Sequence, residues 1–500
     1  MTSTRPVTRG QAGSSSIPQL IFGDLWQYDP APETADPRLK PRYDLFINGK
    51  FVAPKSGKYF PSINPATEDA LAEIALANQT DVDAAYAAGQ KAFGPWSKLP
   101  GSERGKYLYR IARLIQDRAR EFAVAETMDG GKPIKESRDF DVPMSAAHFF
   151  YHAGWADKLE YAVPGATISP LGVVGQVIPW NFPLLMLAWK IAPALAVGNT
   201  VVLKPAETTS VTALKFAELL QEAELPPGVV NIICGAGETG AAVVAHPIAA
   251  KIAFTGSTDV GKIIMRQLAG TDKKLTLELG GKAANIVFDD SPVDQAVEGV
   301  VNGIFFNQGH VCCAGSRLLV QESIAEMFVA KLRNRIDVLR VGNPLDKNTD
   351  VGAINSRAQL DRICELVDSG VAAGAEIYQS AACTLPGRGF YFKPTVFTGV
   401  TQSHRIAREE IFGPVLSVLT FRTLEEAVEK ANNTMYGLSA GVWTDKGSRT
   451  LKMSTLLKAG VVWANTFNKF DPSSPFGGYK ESGFGREGGR QGLMDYGKVV

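Results

Sequence analysis

The feature that most constrains the fold is a fourfold alternation of short β-branched segments with helical segments. The pairs are 172–178 with 184–196, 200–203 with 209–224, 229–233 with 239–246, and 252–255 with 259–268. Strands that alternate with helices in this way predict a parallel, doubly wound sheet. Because such crossovers are right-handed, the carboxyl ends of the strands gather along one edge, where ligands bind.

Each of these strands is followed by residues that suit a nucleotide. They are segments 179–183, 204–207, 235–240 and 254–258. A glutamate accepts a hydrogen bond from a ribose hydroxyl, and a serine at a helix N-terminus suits a phosphate. The Gly235-x-Gly237-x-x-Gly240 match is weaker, because no acidic residue about 20 positions on stands at a clear strand end. A tight strand–helix turn explains it nearly as well.

Composition places the chain among soluble globular proteins and narrows its partners. Its 500 residues suggest two or three domains. With 52 Lys and Arg against 51 Asp and Glu, the net charge is +1, which argues against a nucleic-acid surface. The uncharged stretch 161–189 contains four prolines, so no membrane-spanning helix is expected there. Five cysteines, two of them adjacent, indicate reduced thiols and a cytoplasmic location, and no metal site is predicted.

Local signals predict several further elements. Residues 1–20 are rich in Ser, Thr, Gly and Arg, which favours a disordered tail over a short transit peptide. Asn48-Gly49 predicts a hairpin turn. Thr80 with Asp83 predicts a capped helix through residue 92. From Ser102, apolar residues at helical spacing as far as 122 predict an amphipathic surface helix.

Two candidate reactive groups stand outside these elements. Cys312 and Cys313 lie among glycines and small residues that permit close backbone approach. Glu278 ends an apolar strand before two glycines, where burial would raise its pKa and suit it to act as a general base. Taken alone, the cysteines are as well explained as small buried hydrophobes, and Glu278 as an exposed partner of Lys282.

Eight motifs between about residues 44 and 498 resolve this choice. They are PWNFP (179–183), KPAE (204–207), FTGSTDVG (254–261), ELGGK (278–282), segment 308–317 with Cys312, EEIFGPV (409–415), YGL (436–438) and PFGGYKESG (475–483). In this order and spacing the chain resembles the NAD(P)-dependent aldehyde dehydrogenase superfamily. The resemblance implies an α/β fold, with a Rossmann-like parallel-sheet cofactor domain, a second α/β catalytic domain and a small oligomerisation element.

The resemblance also implies a role for each matching position. Cys312 takes the place of the nucleophile, Glu278 that of the base and Asn181 that of the oxyanion donor. The implied cofactor contacts are Ile178, Pro179, Trp180, Lys204, Glu207, Gly256, Ser257, Gly261, Glu410 and Phe412. The expected wall of an apolar substrate pocket is Met144, Phe182, Trp189 and Phe470. Such a pocket favours aliphatic or aromatic aldehydes, although Lys469 would instead select an acidic one.

The implied reaction is the oxidation of a small-molecule aldehyde to a carboxylic acid. Cys312 forms a thiohemiacetal, hydride passes to the nicotinamide, and water activated by Glu278 hydrolyses the thioester. A carboxylate at Glu207 accepts a hydrogen bond from a ribose 2′-hydroxyl and repels a 2′-phosphate, so NAD is expected rather than NADP. The alternatives are a non-catalytic binding or assembly module and a thiol esterase. The cofactor motifs and the presence of Cys312, Glu278 and Asn181 argue against both.

The expected domain boundaries follow the same resemblance. They are an N-terminal extension at 1–43, a cofactor domain at 44–150 and 171–278, a bridging element at 151–170 and 476–500, and a catalytic domain at 279–475. Segment 21–37 resembles a branch whose longer members carry a second, related module. Segment 159–169 is shorter than the usual oligomerisation hairpin, and the chain stops near the family's last strand. A homodimer or larger homo-oligomer is still expected.

Overall fold

The computed structural model describes residues 30–500. The expectations for residues 1–20, and those for the first part of segment 21–37, lie outside the described residues. In chain order the strands are β1 (Arg42–Tyr43), β2 (Leu45–Ile47), β3 (Lys50–Val52), β4 (Tyr59–Ile63), β5 (Ala70–Ala75), β6 (Ile168–Pro170), β7 (Val173–Val177), β8 (Thr200–Lys204), β9 (Val230–Ile232), β10 (Ala249–Thr255), β11 (Lys274–Glu278), β12 (Ala284–Val287), β13 (Arg317–Gln321), β14 (Glu376–Gln379), β15 (Thr395–Thr398), β16 (Val415–Phe421), β17 (Ser439–Trp443), β18 (Val461–Ala464), β19 (Gly483–Phe484) and β20 (Gly497–Val499).

Helices separate most of these strands. In chain order they are α1 (Gln79–Lys98), α2 (Gly101–Asp117), α3 (Ala119–Gly130), α4 (Ile134–Glu136), α5 (Val142–Trp155), α6 (Pro183–Val197), α7 (Val211–Glu222), α8 (Gly237–Ala245), α9 (Thr258–Leu268), α10 (Val293–Phe305), α11 (Ala325–Asp337), α12 (Arg357–Ala372), α13 (Arg405–Arg408), α14 (Leu424–Asn432), α15 (Gly447–Leu456) and α16 (Gly489–Asp495). A π-helical turn over Ser137–Asp141 joins α4 to α5.

The first large sheet has eight strands in the order β19-β11-β10-β7-β8-β9-β2-β3. Its five central strands are parallel, as the alternation of strands and helices predicts, and the α/β fold class is confirmed. The register sets Val177 beside both Lys204 and Phe254, so the carboxyl ends of these strands meet at one edge. That edge carries the four segments that the sequence singles out for a nucleotide.

The second large sheet has seven strands in the order β14-β15-β16-β13-β12-β17-β18. All of them lie inside the segment expected to form the catalytic domain, and only β14 is antiparallel to its neighbour. Only the short segment 279–283 separates β11 of the first sheet from β12 of the second. Glu278 therefore ends one sheet directly beside the start of the other.

Two smaller sheets complete the described part of the chain. β1, β5 and β4 form one, and β6 pairs with β20 in the other. Within segment 476–500, which is expected to belong to a bridging element, Gly483 and Phe484 of β19 pair with β11 of the first sheet. Gly483 has a φ of 105°, and there is no room for a Cβ at this position, because it would lie 2.0 Å from the Leu277 carbonyl oxygen.

Helix α6 shows how the sequence sets the element that carries part of the site. Pro183 begins it, where the missing N–H and the fixed φ of proline suit the first turn. Every residue of α6 is buried, so its continuous apolar sequence matches its place inside the fold. Gly198 follows with φ of 107°, a left-handed conformation that ends the helix. The segment 179–182 before α6 is thereby held at the sheet edge.

The local predictions have mixed outcomes. The hairpin is confirmed, because Asn48 and Gly49 both have positive φ and join the antiparallel pair β2–β3. The predicted helix cap is wrong. α1 begins two residues earlier than expected from Thr80 with Asp83, and the reciprocal capping bonds join Asn78 and Asp81.

The helix predicted from Ser102 is confirmed in its amphipathic character but not in its length. Leu108, Ile111 and Ile115 are buried on α2, as their spacing predicts. The chain then breaks at Arg118, whose φ of −102° and ψ of 17° end α2. Phe122 therefore lies on the separate helix α3.

Candidate active site

A cavity of about 250 Å³ opens at the carboxyl edge of the first sheet, where it meets the second. It is lined by Phe140, Pro179, Trp180, Asn181, Phe182, Leu185, Met186, Trp189, Thr255, Gly256, Ser257, Glu278, Leu279, Gly280, Val311, Cys312, Cys313, Gln359, Arg362, Glu410, Ile411, Phe412, Phe470 and Phe476. The three residues expected to be catalytic, Cys312, Glu278 and Asn181, are among them. The lining residues run from Phe140 to Phe476, so segments 336 positions apart in sequence supply one site.

Cys312 lies half-buried on the cavity wall, in the loop between α10 and β13. Gly281 allows this position, because a Cβ there would lie 2.3 Å from the Cys312 carbonyl oxygen. Hydrogen bonding with the Cys313 thiol and burial both raise the pKa of Cys312 well above its ordinary value. The sulfur is therefore a thiol at neutral pH and must lose its proton before it attacks.

Cys313 is anchored to the second sheet. Its carbonyl accepts a hydrogen bond of 3.1 Å from the Ser439 hydroxyl, and its sulfur lies 3.9 Å from Asn468 Oδ1. The side chain is buried, as expected of a cysteine that behaves as a small hydrophobe. Of the two thiols, Cys312 is the more exposed.

Glu278 ends β11 and faces the cavity with both carboxylate oxygens free of hydrogen-bond partners. Burial raises its pKa well above the ordinary value, the charge of Glu487 adds to the effect, and Lys190 opposes it. The alternative pairing with Lys282 is not observed, because the Lys282 ammonium also has no hydrogen-bond partner. A buried, unpaired carboxyl group in a cavity is suited to exchange a proton there.

Asn181 is fixed at both its amide and its backbone. Its Nδ2 donates to the His310 carbonyl at 2.8 Å, and its own carbonyl accepts from Asn307 Nδ2 at 2.8 Å. An amide nitrogen carries two N–H groups, so one remains to bind an oxygen in the cavity. The sequence motif predicts Asn181 but gives no sign of either bond.

The edge of the first sheet next to this cavity brings together residues expected to contact the adenosine half of a cofactor. Lys204 ends β8 in a buried position, and its Nζ lies 3.2 Å from the carboxylate of Glu207. The Glu207 side chain is 52% exposed and so is open to a ligand. Ser257 caps α9, its Oγ accepting from the Val260 N–H at 3.4 Å.

Four of the expected cofactor residues, Ile178, Lys204, Glu207 and Gly261, do not line the cavity itself. Of these, Ile178 and Gly261 shape its edge. Ile178 is buried, and its N–H donates to the Lys204 carbonyl at 3.1 Å, which joins the ends of β7 and β8. Gly261 lies on α9 against Leu279, where a Cβ would come within 2.5 Å of the leucine methyl carbon. Their positions set the backbone around the groove, whereas Pro179, Trp180 and Gly256 reach its surface.

Glu410 and Phe412 enter the cavity from the second sheet's side. Glu410 accepts a hydrogen bond of 2.9 Å from the Gly281 N–H, and burial raises its pKa to about 7. Phe412 is held at a φ of 56°, and Gln359 Nε2 donates to its carbonyl at 3.0 Å. Sequence reasoning misses Gln359, because it lies on the amphipathic helix α12 within no recognisable motif.

Aromatic rings form the other end of the cavity. Phe140, Phe182, Trp189, Phe470 and Phe476 are linked by ring-centroid separations between 5.4 and 6.4 Å. Phe182, Trp189 and Phe470 are residues that the sequence predicts for this wall. Phe140 and Phe476 are not predicted for it, although Phe476 lies within the PFGGYKESG motif.

Two residues considered for the substrate end, Met144 as expected and Lys469 as the alternative, lie outside the cavity lining. Met144 does not line the cavity, and Phe140 one turn earlier does. The π-helical turn Ser137–Asp141 changes the face that the chain presents, which regular helical spacing does not anticipate. Lys469 does not line the cavity either, and its carbonyl accepts from Trp463 Nε1 at 2.9 Å.

Across residues 30–500, no three His, Cys, Asp or Glu side chains gather in a group that could hold a metal ion. No helix in that range combines the length and apolar character needed to cross a membrane. All five cysteines lie in the described range as free thiols.

A cysteine, a carboxyl group and an amide lie together at the edge of a doubly wound sheet, as in an enzyme that uses a cysteine nucleophile. The aldehyde dehydrogenase family model matches residues 51–500, so the chain belongs to the aldehyde dehydrogenase family. Membership supports aldehyde oxidation as its activity and confirms the resemblance found in the sequence.

Individual relatives agree with this assignment. Human retinal dehydrogenase 2 is 45% identical over 481 residues, covering 93% of this chain and 92% of that protein. An NAD⁺ complex of an aldehyde dehydrogenase from Bacillus cereus matches with a TM-score of 0.88 at 43% identity, over 92% of this chain and 96% of that one. A mutant indole-3-acetaldehyde dehydrogenase from P. syringae, solved with NAD⁺ and IAA, has a TM-score of 0.89 at 40% identity, over 92% and 96%.

Proposed function

We propose that this protein oxidises an apolar aldehyde to a carboxylic acid with NAD, through a thioester on Cys312. One observation carries the proposal: Cys312, Glu278 and Asn181 line the same cavity, between a nucleotide-type sheet edge and an aromatic wall. The three groups supply a nucleophile, a base and an oxyanion donor.

The residues along the sheet edge fit a dinucleotide. The buried hydroxyl of Thr255 has no hydrogen-bond partner and lines the groove beside Ser257 and the N-terminus of α9. Free N–H groups at a helix start suit a pyrophosphate. Lys204 and Glu207 would hold the adenine ribose, and Glu410 with Phe412 the nicotinamide side. Bound NAD would supply the acceptor for the hydride that leaves the substrate carbon.

The first bond formed is between Cys312 Sγ and the aldehyde carbon. The thiol proton passes to solvent in the cavity, the sulfur contributes an electron pair, and the carbonyl π electrons move to oxygen. The free N–H of Asn181 stabilises that alkoxide, an interaction whose loss typically lowers rates by about 10²–10³-fold. When the C–H bond breaks, the carbonyl re-forms and the product is a thioester.

In the hydrolysis of the thioester, Glu278 acts as the general base. Its carboxylate takes a proton from water while the water oxygen attacks the acyl carbon, and the C–S bond breaks to release the acid. Because Glu278 has no competing hydrogen bond, the carboxylate is available to the water. Its raised pKa makes it a stronger base than an exposed glutamate.

The substrate end favours an uncharged, apolar aldehyde, with an aromatic group as the best fit. The charged groups on the cavity wall are Glu278, Arg362 and Glu410, none of which belongs to the aromatic cluster. Aromatic rings prefer the edge-to-face and offset contacts that such a cluster offers. The expectation of aliphatic or aromatic substrates is thus narrowed towards aromatic ones.

The assembly and location of the protein are also proposals. Val499 of β20, the following Val500, and Tyr161, which precedes β6, are exposed apolar side chains near the β6–β20 pair in sequence, which supports a homodimer. Light scattering on the purified protein would test this, with a monomer as the contrary result. Free thiols support a reducing compartment such as the cytoplasm.

The test of the proposed function compares the two adjacent thiols. Cys312→Ala should abolish NADH formation from benzaldehyde, and Cys313→Ala, its matched control, should retain it. Full turnover by Cys312→Ala with loss of turnover in Cys313→Ala would show that the nucleophile is wrongly assigned. Ester hydrolysis without any NADH formation in the unaltered enzyme would instead favour the thiol esterase alternative.

A further inference from the structure

Three consecutive residues before the reactive cysteine have left-handed backbone conformations. Asn307, Gln308 and Gly309 have φ values of 48°, 52° and 74°. For a residue with a Cβ this conformation costs roughly 1–2 kcal/mol. Such a turn persists only when its surroundings hold it, and strain of this kind clusters at functional sites.

A short circuit of hydrogen bonds joins this turn to the oxyanion donor. The Asn307 N–H donates to the Glu136 carboxylate at 2.8 Å, and Asn307 Nδ2 donates to the Asn181 carbonyl at 2.8 Å. Asn181 in turn donates to the carbonyl of His310, two residues before Cys312. Asn307 therefore links Glu136 to Asn181 and to the loop that carries Cys312.

Glu136 belongs to a buried cluster of titratable side chains, which also binds the start of α6, just after Asn181 in the chain. Lys132 Nζ lies 2.5 Å from Asp141 and 3.5 Å from Glu126. The second oxygen of Glu126 accepts from the Leu184 N–H at 3.2 Å, in the first turn of α6 after Asn181. All four charged side chains of this cluster are buried.

Burying three carboxyl groups around one lysine costs free energy unless hydrogen bonds satisfy each group in the folded state. Here the bonds of two of them end on backbone N–H groups that flank Asn181 in space. Neither N–H group belongs to a β-strand, so neither takes part in sheet hydrogen bonding. These bonds hold Leu184, three residues after Asn181, and Asn307, whose side chain contacts the Asn181 carbonyl.

We propose that Glu136, acting through Asn307, is a positioning residue that orients Asn181 and the Cys312 loop for oxyanion binding. Lys132 pairs with Glu126 and Asp141, and its charge opposes the rise that burial causes in the pKa of Glu136. Neither residue lines the cavity. The inference rests on the proposed role of Asn181.

The test measures the single-turnover rate of NADH formation by the 500-residue enzyme with saturating NAD and benzaldehyde. Glu136→Ala should lower that rate by about tenfold or more, because a small misplacement of a catalytic group is costly. Glu136→Gln should recover most of it, since its amide oxygen can still accept from Asn307. The NAD dissociation constant should stay within about twofold.

Non-additivity separates positioning from general damage. In an Asn181→Ala background, Glu136→Ala should slow the reaction by less than about threefold, since the group that it orients is gone. Asp129→Ala is the matched control: Asp129 is a buried carboxyl group that accepts from the Val211 N–H at 3.0 Å, outside the circuit. Its effect, mainly on thermal stability, should be the same in both backgrounds.

A second variant keeps the test decisive if Glu136→Ala does not fold. Asn307→Gly relieves the left-handed strain but removes the amide that holds Asn181, and it should reproduce the tenfold loss and the non-additivity. Equal slowing of the unaltered and Asn181→Ala enzymes would overturn the positioning role. If Asn181→Ala itself leaves the rate unchanged, the proposed oxyanion donor is wrong and the inference falls with it. A large effect of Asn181→Ala with none from Glu136→Ala or Asn307→Gly would refute the inference alone.

Discussion

Replacing Glu207 with glutamine should shift the cofactor preference towards NADP. The substitution keeps the size and the hydrogen-bonding oxygen of the side chain but removes its charge. It also frees Lys204, whose Nζ lies 3.2 Å from the Glu207 carboxylate, to approach a 2′-phosphate. Both changes favour a ligand with additional negative charge.

The size of the shift follows from Coulomb's law. Two unit charges about 5 Å apart repel by roughly 0.8 kcal/mol at the dielectric constant of water and by roughly 3 kcal/mol at an effective value of about 20. Because the Glu207 side chain is 52% exposed, an intermediate value of about 1–2 kcal/mol applies. This corresponds to about a 5- to 30-fold rise in the NADP-to-NAD ratio of kcat/KM.

Paired initial-rate assays with NAD and NADP at low ionic strength would measure this ratio. Glu222→Gln is a matched control, because that side chain is also 52% exposed and also lies beside a cation, Arg118, at the far end of α7. It should leave the ratio unchanged. Added salt should reduce the difference between Glu207→Gln and the unaltered enzyme, since the charges are partly exposed. An unchanged ratio in Glu207→Gln, or a preference of the unaltered enzyme for NADP, would refute the reasoning.

Two further predictions concern geometry and stability. Gly281→Ala should lower the single-turnover rate at least tenfold, because its Cβ would lie 2.3 Å from the Cys312 carbonyl oxygen, whereas Gly237→Ala, with open space around its Cβ, should not. Bonds from Arg120, Thr34 and Ala35 overcome the opposing effect of burial and lower the pKa of Glu33 to about 2, so Glu33→Gln should reduce the free energy of unfolding by about 1–2 kcal/mol at pH 7. A lowered pKa stabilises the fold above the unfolded value near 4.5, so this difference should shrink as the pH falls from about 4.5 towards 2 in urea titrations, and a constant difference would contradict it.

Much of the fold can be predicted from sequence because it depends on local periodicity. The parallel strands β7 to β10 and the helices between them follow from apolar runs bounded by turn residues, and the hairpin at Asn48-Gly49 follows from backbone preference.

The site is predictable only where a motif carries it. Cys312, Glu278 and Asn181 are marked by sequence, and the structure brings them to one cavity. Phe140 is not marked, since a π-helical turn changes which face reaches the cavity. Gln359 is not marked either, because its function depends on contact with a strained loop distant in the chain. Pairings between distant segments have no periodic signature.

The role of Glu278 has a pH dependence with a defined sign. A general base must be ionised, so hydrolysis of the thioester should slow as the pH falls through the raised pKa of Glu278. The glutamine variant has no titrating group at this position. Its residual hydrolysis rate should lack that dependence.

The most direct test of the proposed function is a stopped-flow measurement of NADH formed by Glu278→Gln. We predict a burst of one NADH per active site, as the thioester forms, followed by turnover slowed by about 10²–10⁴-fold. Full steady turnover without a burst would contradict the proposed thioester hydrolysis by Glu278-activated water.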